Sequence, residues 1–203
     1  MYPYAAGSTV LMPDRLRDDV AVQVTWSVPH PEMSGRMLAD IAGEWGLSLK
    51  EAGEKLLPAG AIFFQMHEDD VQRIMRHRLA MIGSDGLPHD SYPHPRLWGT
   101  FPRVLGHYAR DLGLFSMEEA VRKMTGHTAE VFGLVDRGTV RPGGYADLVL
   151  FDPETVKDAA TYDAPTRPAD GIVEVWVNGQ STYVHGPGAT VARAGRLVTR
   201  GRP

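Results

Sequence analysis

The chain has no cysteine, which removes disulfides and thiol chemistry from its repertoire. No apolar run approaches the roughly 20 residues needed to cross a bilayer. The first residues, Met1 to Tyr4, carry neither a basic region nor a signal-peptide core. Basic charge is not in excess, since 21 Lys and Arg stand against 25 Asp and Glu. No broad positive field is therefore available for nucleic acid. Together these absences point to a cytoplasmic protein without membrane or nucleic-acid partners. Chemical motifs are missing as well. There is no Gly-rich phosphate loop and no Gly-x-Ser-x-Gly elbow. Of the eight histidines, at 30, 67, 77, 89, 94, 107, 127 and 185, none form His-x-His or His-Glu-x-x-His. No self-contained zinc site is visible.

What is present is an ordinary globular composition, 43% hydrophobic and 23% charged over 203 residues, enough for a real core and one or two domains. Tyr2 to Tyr4 read as a strand end and residues 5–8 as a loop. Val20, Val22, Val24 and Trp26 alternate with shorter or polar residues, the period of a half-buried strand. Ser34 is placed to cap a helix that Gly46 ends. Ser48 and Glu51 form a capping-box pattern for a second helix, stopped by Pro58. Ala61 to Gln65 reads as an apolar strand, and Glu68, Asp69 and Asp70 suit the start of the helix that follows. Ala80 to Ile82 predicts a further strand, ending at Asp85. A long loop then runs to Thr100. Helices are expected over 102–112 and 117–124, with a short one to Phe132 that Gly133 stops. After Gly133 the pattern becomes all-β: a turn at 141–144, a strand over 146–151, and a hairpin at 172–184 around Asn178-Gly179, a type I′ signal.

The most informative stretch is Ala80-Met-Ile-Gly-Ser-Asp85 and the Pro- and His-rich loop to Arg96. A short apolar run that stops at Gly-Ser-Asp-Gly is how a buried strand delivers a carboxylate to the mouth of an α/β barrel, where the chemistry of that fold sits. Ser-Asp-Gly is also good turn chemistry, so Asp85 can equally be a turn residue. Arg96 reads either as a structural ion pair or as a fork for a substrate carboxylate. Tyr2 and Tyr4 are either a core edge or hydroxyls aimed into a pocket. His89 and His94 share the loop with Asp85 and are either solvated or functional. His77 and His107 fall on helix positions that suit surface or packing roles. The tail carries Arg193, Arg196, Arg200 and Arg202 and reads as a solvated, frayed terminus. An eight-unit barrel needs about 250 residues, yet the first 133 hold only two βα units, at 61–77 and 80–124. The chain therefore reads as the tail end of a larger enzyme.

In order along the chain, several segments resemble the N-acyl-D-amino-acid deacylase (D-aminoacylase) family of the amidohydrolase superfamily. They are residues 2–8, His-Pro-Glu at 30–32, Phe-Phe-Gln-Met at 63–66, Ile-Gly-Ser-Asp-Gly-Leu-Pro at 82–88, and residues 94–106. Lys-Met-Thr-Gly at 123–126, residues 144–153 and Val-Trp-Val-Asn-Gly at 175–179 continue the series. Gly-x-Ala-Asp-Leu-Val is shared widely among amidohydrolases, whereas Gly-Ser-Asp-Gly followed by His-Pro-Arg-x-Trp-Gly-Thr is far more specific. The resemblance implies an α/β fold: the carboxyl-terminal part of a distorted barrel over 1–133, with a lid insertion at about 6–60. Part of a small β-sandwich domain would follow over 134–190, then a basic tail over 191–203. It implies zinc as cofactor and an N-acyl-D-amino acid as substrate. Asp85 would be a weak metal ligand and the general acid/base, taking the attacking water's proton and returning it to the leaving amine. Arg96 and Tyr2 would hold the substrate α-carboxylate, with Ser8 on the same rim. The His-x-His pair, bridging Cys, further His ligands and Lys of the family are not in this sequence. The chain is thus expected to be a truncated copy, or one piece of a split enzyme whose partner is the amino-terminal half. Rival readings are a hydantoinase- or dihydroorotase-like amidohydrolase and a non-catalytic remnant serving as a binding or assembly module.

One carboxylate and scattered loop histidines do not make a tetrahedral metal site. The purified chain alone is expected to hold well under one zinc per molecule and to leave N-acetyl-D-methionine intact. Metal analysis and a hydrolysis assay check this. Stoichiometric zinc with turnover above background would overturn the fragment reading.

Overall fold

The computed structural model describes residues 1–88, 90–186 and 192–201. It divides around two hydrophobic cores. The first is built by residues 7–64. Strand β1 (Gly7–Val10) enters where a loop was expected, and short 3-10 turns at Pro13–Arg15 and Pro31–Met33 flank β2 (Ala21–Ser27). Helices α1 (Leu38–Trp45) and α2 (Leu49–Leu56) lead into β3 (Ala59–Phe64). Gly46 ends α1 in the left-handed conformation, as read from the sequence, but Ser34 does not cap it: the helix starts later, after Met37. The Ser48–Glu51 capping box is formed in full.

These strands make one antiparallel sheet in the order β1-β3-β2. Expected as the strand of a barrel βα unit, β3 is instead the central strand of this sheet, with Ile62 opposite both Ser8 and Gln23. A central position between two neighbours explains its small, fully buried Ala-Gly-Ala start. One face packs Leu38, Ile41, Ala52 and Leu56 of the helices against Val22, Val24 and Ala61. The other face of β2 is buried as well, since Gln23 and Thr25 are covered. Gln23 Nε2 donates to the Gly35 and Tyr162 carbonyls, and Tyr92 N–H donates to the Thr25 carbonyl.

The second core joins α3 (Glu68–Arg76), α5 (Met117–Met124) and the segment 104–109 that continues α4 (Arg96–Arg103), while α6 (Gly126–Phe132) packs on α5. Helix α4 begins six residues before the expected start at 102. It runs through Pro102, which has no N–H to give the carbonyl four residues back. The helix then widens to π geometry over Val104–Asp111. The predicted strand at 80–82 is not formed. Ile82 is buried, but its neighbour is a single residue. The Met1 amine donates to the Met81 carbonyl and Gly83 N–H donates to the Met1 carbonyl, at 2.9 and 3.0 Å. That is a parallel pairing one residue long, too short for a ladder. Ile82 N–H is taken by the Lys123 carbonyl, and the buried Lys123 ammonium in turn donates to the His77 carbonyl.

Strands β4 (Leu148–Phe151), β5 (Ile172–Val177) and β6 (Gln180–Val184) form a second antiparallel sheet in that order. Asn178 and Gly179 at φ 49° and 75° make the expected I′ turn. Phe151, Val156 and Ile172 reach into the second core, so this sheet is anchored on the helical layer. In the tail, Arg193, Arg196 and Arg200 are exposed, and two of its described residues are hydrogen-bonded to the body. Ala194 O accepts from Asn178 Nδ2, and Gly201 N–H donates to Gly133 O. Arg202 lies outside the described residues.

The π segment touches the turn before β5 with no space to spare. A Cβ on Gly106 would lie 2.3 Å from the Val156 carbonyl oxygen, whereas one on Gly43 in α1 would meet nothing within 4 Å. Gly106→Ala should therefore destabilise by about 1–3 kcal/mol. Gly43→Ala should stabilise by about 0.4–1 kcal/mol, through the unfolded chain. Denaturant midpoints at unchanged slope check both; a Gly106→Ala protein as stable as its parent would show that the contact yields.

Candidate active site

The side chains singled out in the sequence converge on Arg96. Residue 96 opens α4, and its guanidinium turns back beneath the loop that carries Asp85. It is 3% exposed. Nε donates to the Asp85 carbonyl at 3.0 Å and Nη2 to the Ser8 carbonyl at 3.2 Å. Nη2 also lies 3.0 Å from Asp85 Oδ2, and the guanidinium carbon sits 4.4 Å from the centre of the Tyr2 ring. Among the described residues Nη1 has no hydrogen-bond partner. The Arg96 carbonyl accepts from both Ser84 Oγ (2.9 Å) and Thr100 Oγ1 (2.6 Å). A buried guanidinium must find acceptors or pay several kcal/mol, and here backbone carbonyls from β1 and from the Asp85 loop supply them.

Asp85 differs from its partner: its carboxylate reaches the buried arginine through Oδ2 yet is 61% exposed to solvent. Gly86 behind it has φ 152° and backs onto Leu97, so a Cβ there would crowd that side chain. Ser8 contributes its carbonyl to Arg96. Its placement in β1, rather than in a loop, fixes that carbonyl by pairing with Ile62. Tyr2, half-buried, covers the guanidinium and lines a cavity of about 470 Å³ with Met66, His67 and α3.

Around this centre lies an aromatic layer that sequence reading did not anticipate. His94 is 2% exposed and meets the edges of Tyr4 and Tyr162 at 5.2 and 5.3 Å. Tyr4 packs under Arg103, which bonds to Asp158 at 3.1 Å and to the Pro3 carbonyl. Burial pushes the Tyr4 hydroxyl well above its ordinary range, with the nearby Asp158 adding to it, and this hydroxyl has no hydrogen-bond partner among the described residues. Gly99 makes room for it: a Cβ there would lie 2.3 Å from the oxygen. The one available signal for this layer was Pro93-His94-Pro95, since a histidine between prolines has little freedom to seek solvent. His77 is exposed at the end of α3, and His107 packs against Tyr108, as their helix positions suggested. His89 lies outside the described residues.

Among the described residues no three His, Cys, Asp or Glu side chains gather to hold a metal ion. The residues of this chain therefore do not by themselves fit a zinc site. Asp85 is one carboxylate with room for a further contact, and no more. A larger concavity of about 770 Å³ lies away from Arg96, between α4, α5 and the β4–β5 face, and is mostly apolar. Among the described residues no helix is long and apolar enough to cross a membrane.

Comparison with known proteins gives the same direction. The chain is 56% identical to a D-aminoacylase and 50% identical to an N-acyl-D-glutamate deacylase, both of Alcaligenes xylosoxydans xylosoxydans. Each match covers 98% of this chain but 41% of the relative. A crystal structure of D-aminoacylase matches with a TM-score of 0.93 at 57% identity, over 98% of this chain and 42% of that one. An N-acyl-D-glutamate deacylase from Bordetella bronchiseptica, solved with zinc and a phosphonate inhibitor, matches with a TM-score of 0.93 at 49% identity, over 99% and 42%. The chain thus spans 41% of the length of the curated relatives it matches. The amidohydrolase family model matches residues 48–183; with most of its length inside that match and an α/β fold like that of the D-aminoacylase structures, the chain belongs to the amidohydrolase family.

Proposed function

We propose that this chain is part of an enzyme that hydrolyses the amide bond of N-acyl-D-amino acids to a D-amino acid and a carboxylate. The observation that carries the reading is the convergence of Asp85, Tyr2 and Ser8 on one buried guanidinium. In this reading Arg96 holds the substrate α-carboxylate through its spare Nη1 donors, with Tyr2 beside it and Ser8 on the rim. Asp85, open to solvent, takes the proton of the attacking water and gives it to the departing nitrogen, so that a free amine and a carboxylic acid result. Zinc would be the metal of the complete enzyme. Asp85 would offer one ligand to it, and the remaining ligands would have to come from outside this chain. Residues 1–133 are the last part of a distorted barrel whose excursion at 6–60 covers the active site. Residues 134–190 are part of a small β-sandwich domain, followed by the tail at 191–203. The partners are the small-molecule substrate and the amino-terminal half, in the cytoplasm. The separate core beneath 7–64 supports the excursion, and the anchoring of β4–β6 on the helical layer supports a β domain carried by the barrel.

Two variants of the complete enzyme test the assignment. Asp85→Asn keeps size and polarity but cannot accept the proton, so kcat should fall by about 10²- to 10⁴-fold with analogue binding little changed. Retention of more than about a tenth of the parent kcat would contradict the role. Arg96→Lys keeps the charge but loses the planar fork. It should weaken kcat/KM by about 1.5–3 kcal/mol, the range for a hydrogen bond to a charged group. With substrates whose α-carboxylate is amidated the loss should largely vanish. An equal fall for acid and amide would make Arg96 structural and place the anchor elsewhere.

A further inference from the structure

The two ring nitrogens of His94 face partners of opposite kind. Nε2 lies 3.0 Å from the Ala6 carbonyl oxygen, which can only accept. Nδ1 lies 2.9 Å from the Arg96 backbone N–H, which can only donate. These partners admit one form of the ring, neutral with its proton on Nε2. A second proton on Nδ1 would face the Arg96 N–H. Burial, helped by the Arg96 charge, pushes the imidazole pKa down to about 3, so the same form persists through the working range. The edges of Tyr4 and Tyr162 leave the ring little room to turn.

We propose that His94 is a positioning residue for Arg96, tying the first turn of α4 to the entry of β1 so that the guanidinium is held between Asp85 and Ser8. Ala6 stands two residues before Ser8. The chain of contacts therefore closes on itself: Arg96 side chain to Ser8 carbonyl, back along β1 to Ala6, across the imidazole, and onto the Arg96 backbone. Without the imidazole, the helix that bears the guanidinium is free to slide relative to the Ser8 and Asp85 acceptors, and their hold on it loosens. A displacement of about 1 Å in a substrate anchor can cost about 10²-fold in rate. The kinetic consequence rests on the reading that Arg96 holds the substrate carboxylate; the structural consequence does not.

The experiment compares the full-length polypeptide carrying this chain with its His94→Ala and His94→Asn variants. Kinetics use N-acetyl-D-methionine and its carboxamide. Exposure of Arg96 is read separately by phenylglyoxal labelling and peptide mass spectrometry, with Arg103 on the same helix as internal control. His94→Ala should lower kcat/KM for the acid by about 10- to 100-fold, mainly through KM, and leave the carboxamide nearly unchanged. Labelling of Arg96 should rise while that of Arg103 does not. His94→Asn, whose Oδ1 can still accept from the Arg96 N–H, should recover part of both losses. If Arg96 stays protected in His94→Ala, or Arg96 and Arg103 become labelled together, His94 only fills space and the proposal falls. If the parent has no deacylase activity, the functional reading fails, and the labelling alone decides whether His94 positions Arg96.

Discussion

A guanidinium with almost no contact with water is the constraint around which this structure is arranged. Arg96 carries its charge at 3% exposure, and removing an acceptor from a buried charge costs about 3–5 kcal/mol. The acceptors come from segments far apart in sequence, the Ser8 carbonyl on β1 and the carbonyl and carboxylate of Asp85. Bringing them to one point requires β1 to be registered on β3, the Asp85 loop to pass close to Leu97 at Gly86, and α4 to start at residue 96. The Arg96 carbonyl, held by two hydroxyls, fixes the same residue from the other side. The arginine thus joins the two cores with polar contacts, where each core is internally apolar.

How much of this was written locally can be judged element by element. The capping box at Ser48, the left-handed Gly46 and the Asn178-Gly179 turn were legible because each is a contract among residues within one turn of chain. The candidate site residues came from the family pattern of the 2–8 and 82–106 segments, and they do lie together. Their contacts were not legible: Ser8 engages Arg96 through its backbone, which no residue identity reveals. The strand predicted at 80–82 failed because an apolar run specifies burial, not a pairing partner. The start of α4 was placed too late because Pro102 looked like a helix opening, when the helix tolerates it in its interior. β3 was misassigned to the barrel because a short buried run reads the same in either kind of sheet.

The chain brings a carboxylate and a cation together, yet among the described residues no metal cluster forms. Its relatives are more than twice as long, and β4 and β6 are outer strands of a three-stranded sheet whose exposed faces include Val149, Leu150, Tyr183 and Val184. Such edges are normally covered or blunted. Of these residues Val149 also lines the apolar concavity beside β4 and β5.

The two cores have a dynamic consequence. The 7–64 sheet and its helices bury their own apolar groups, and they meet the rest through hydrogen bonds, Ser8 to Arg96, Thr25 to Tyr92 and Gln23 to Tyr162, and through the Phe64 ring against Tyr162. A block with its own core can open as a unit at a lower free energy than the molecule as a whole. Parting that block from α4 would strip the Ser8 carbonyl from a buried guanidinium. Removing a partner from a buried charge is costly, so the bond that satisfies the arginine also resists separation of the block.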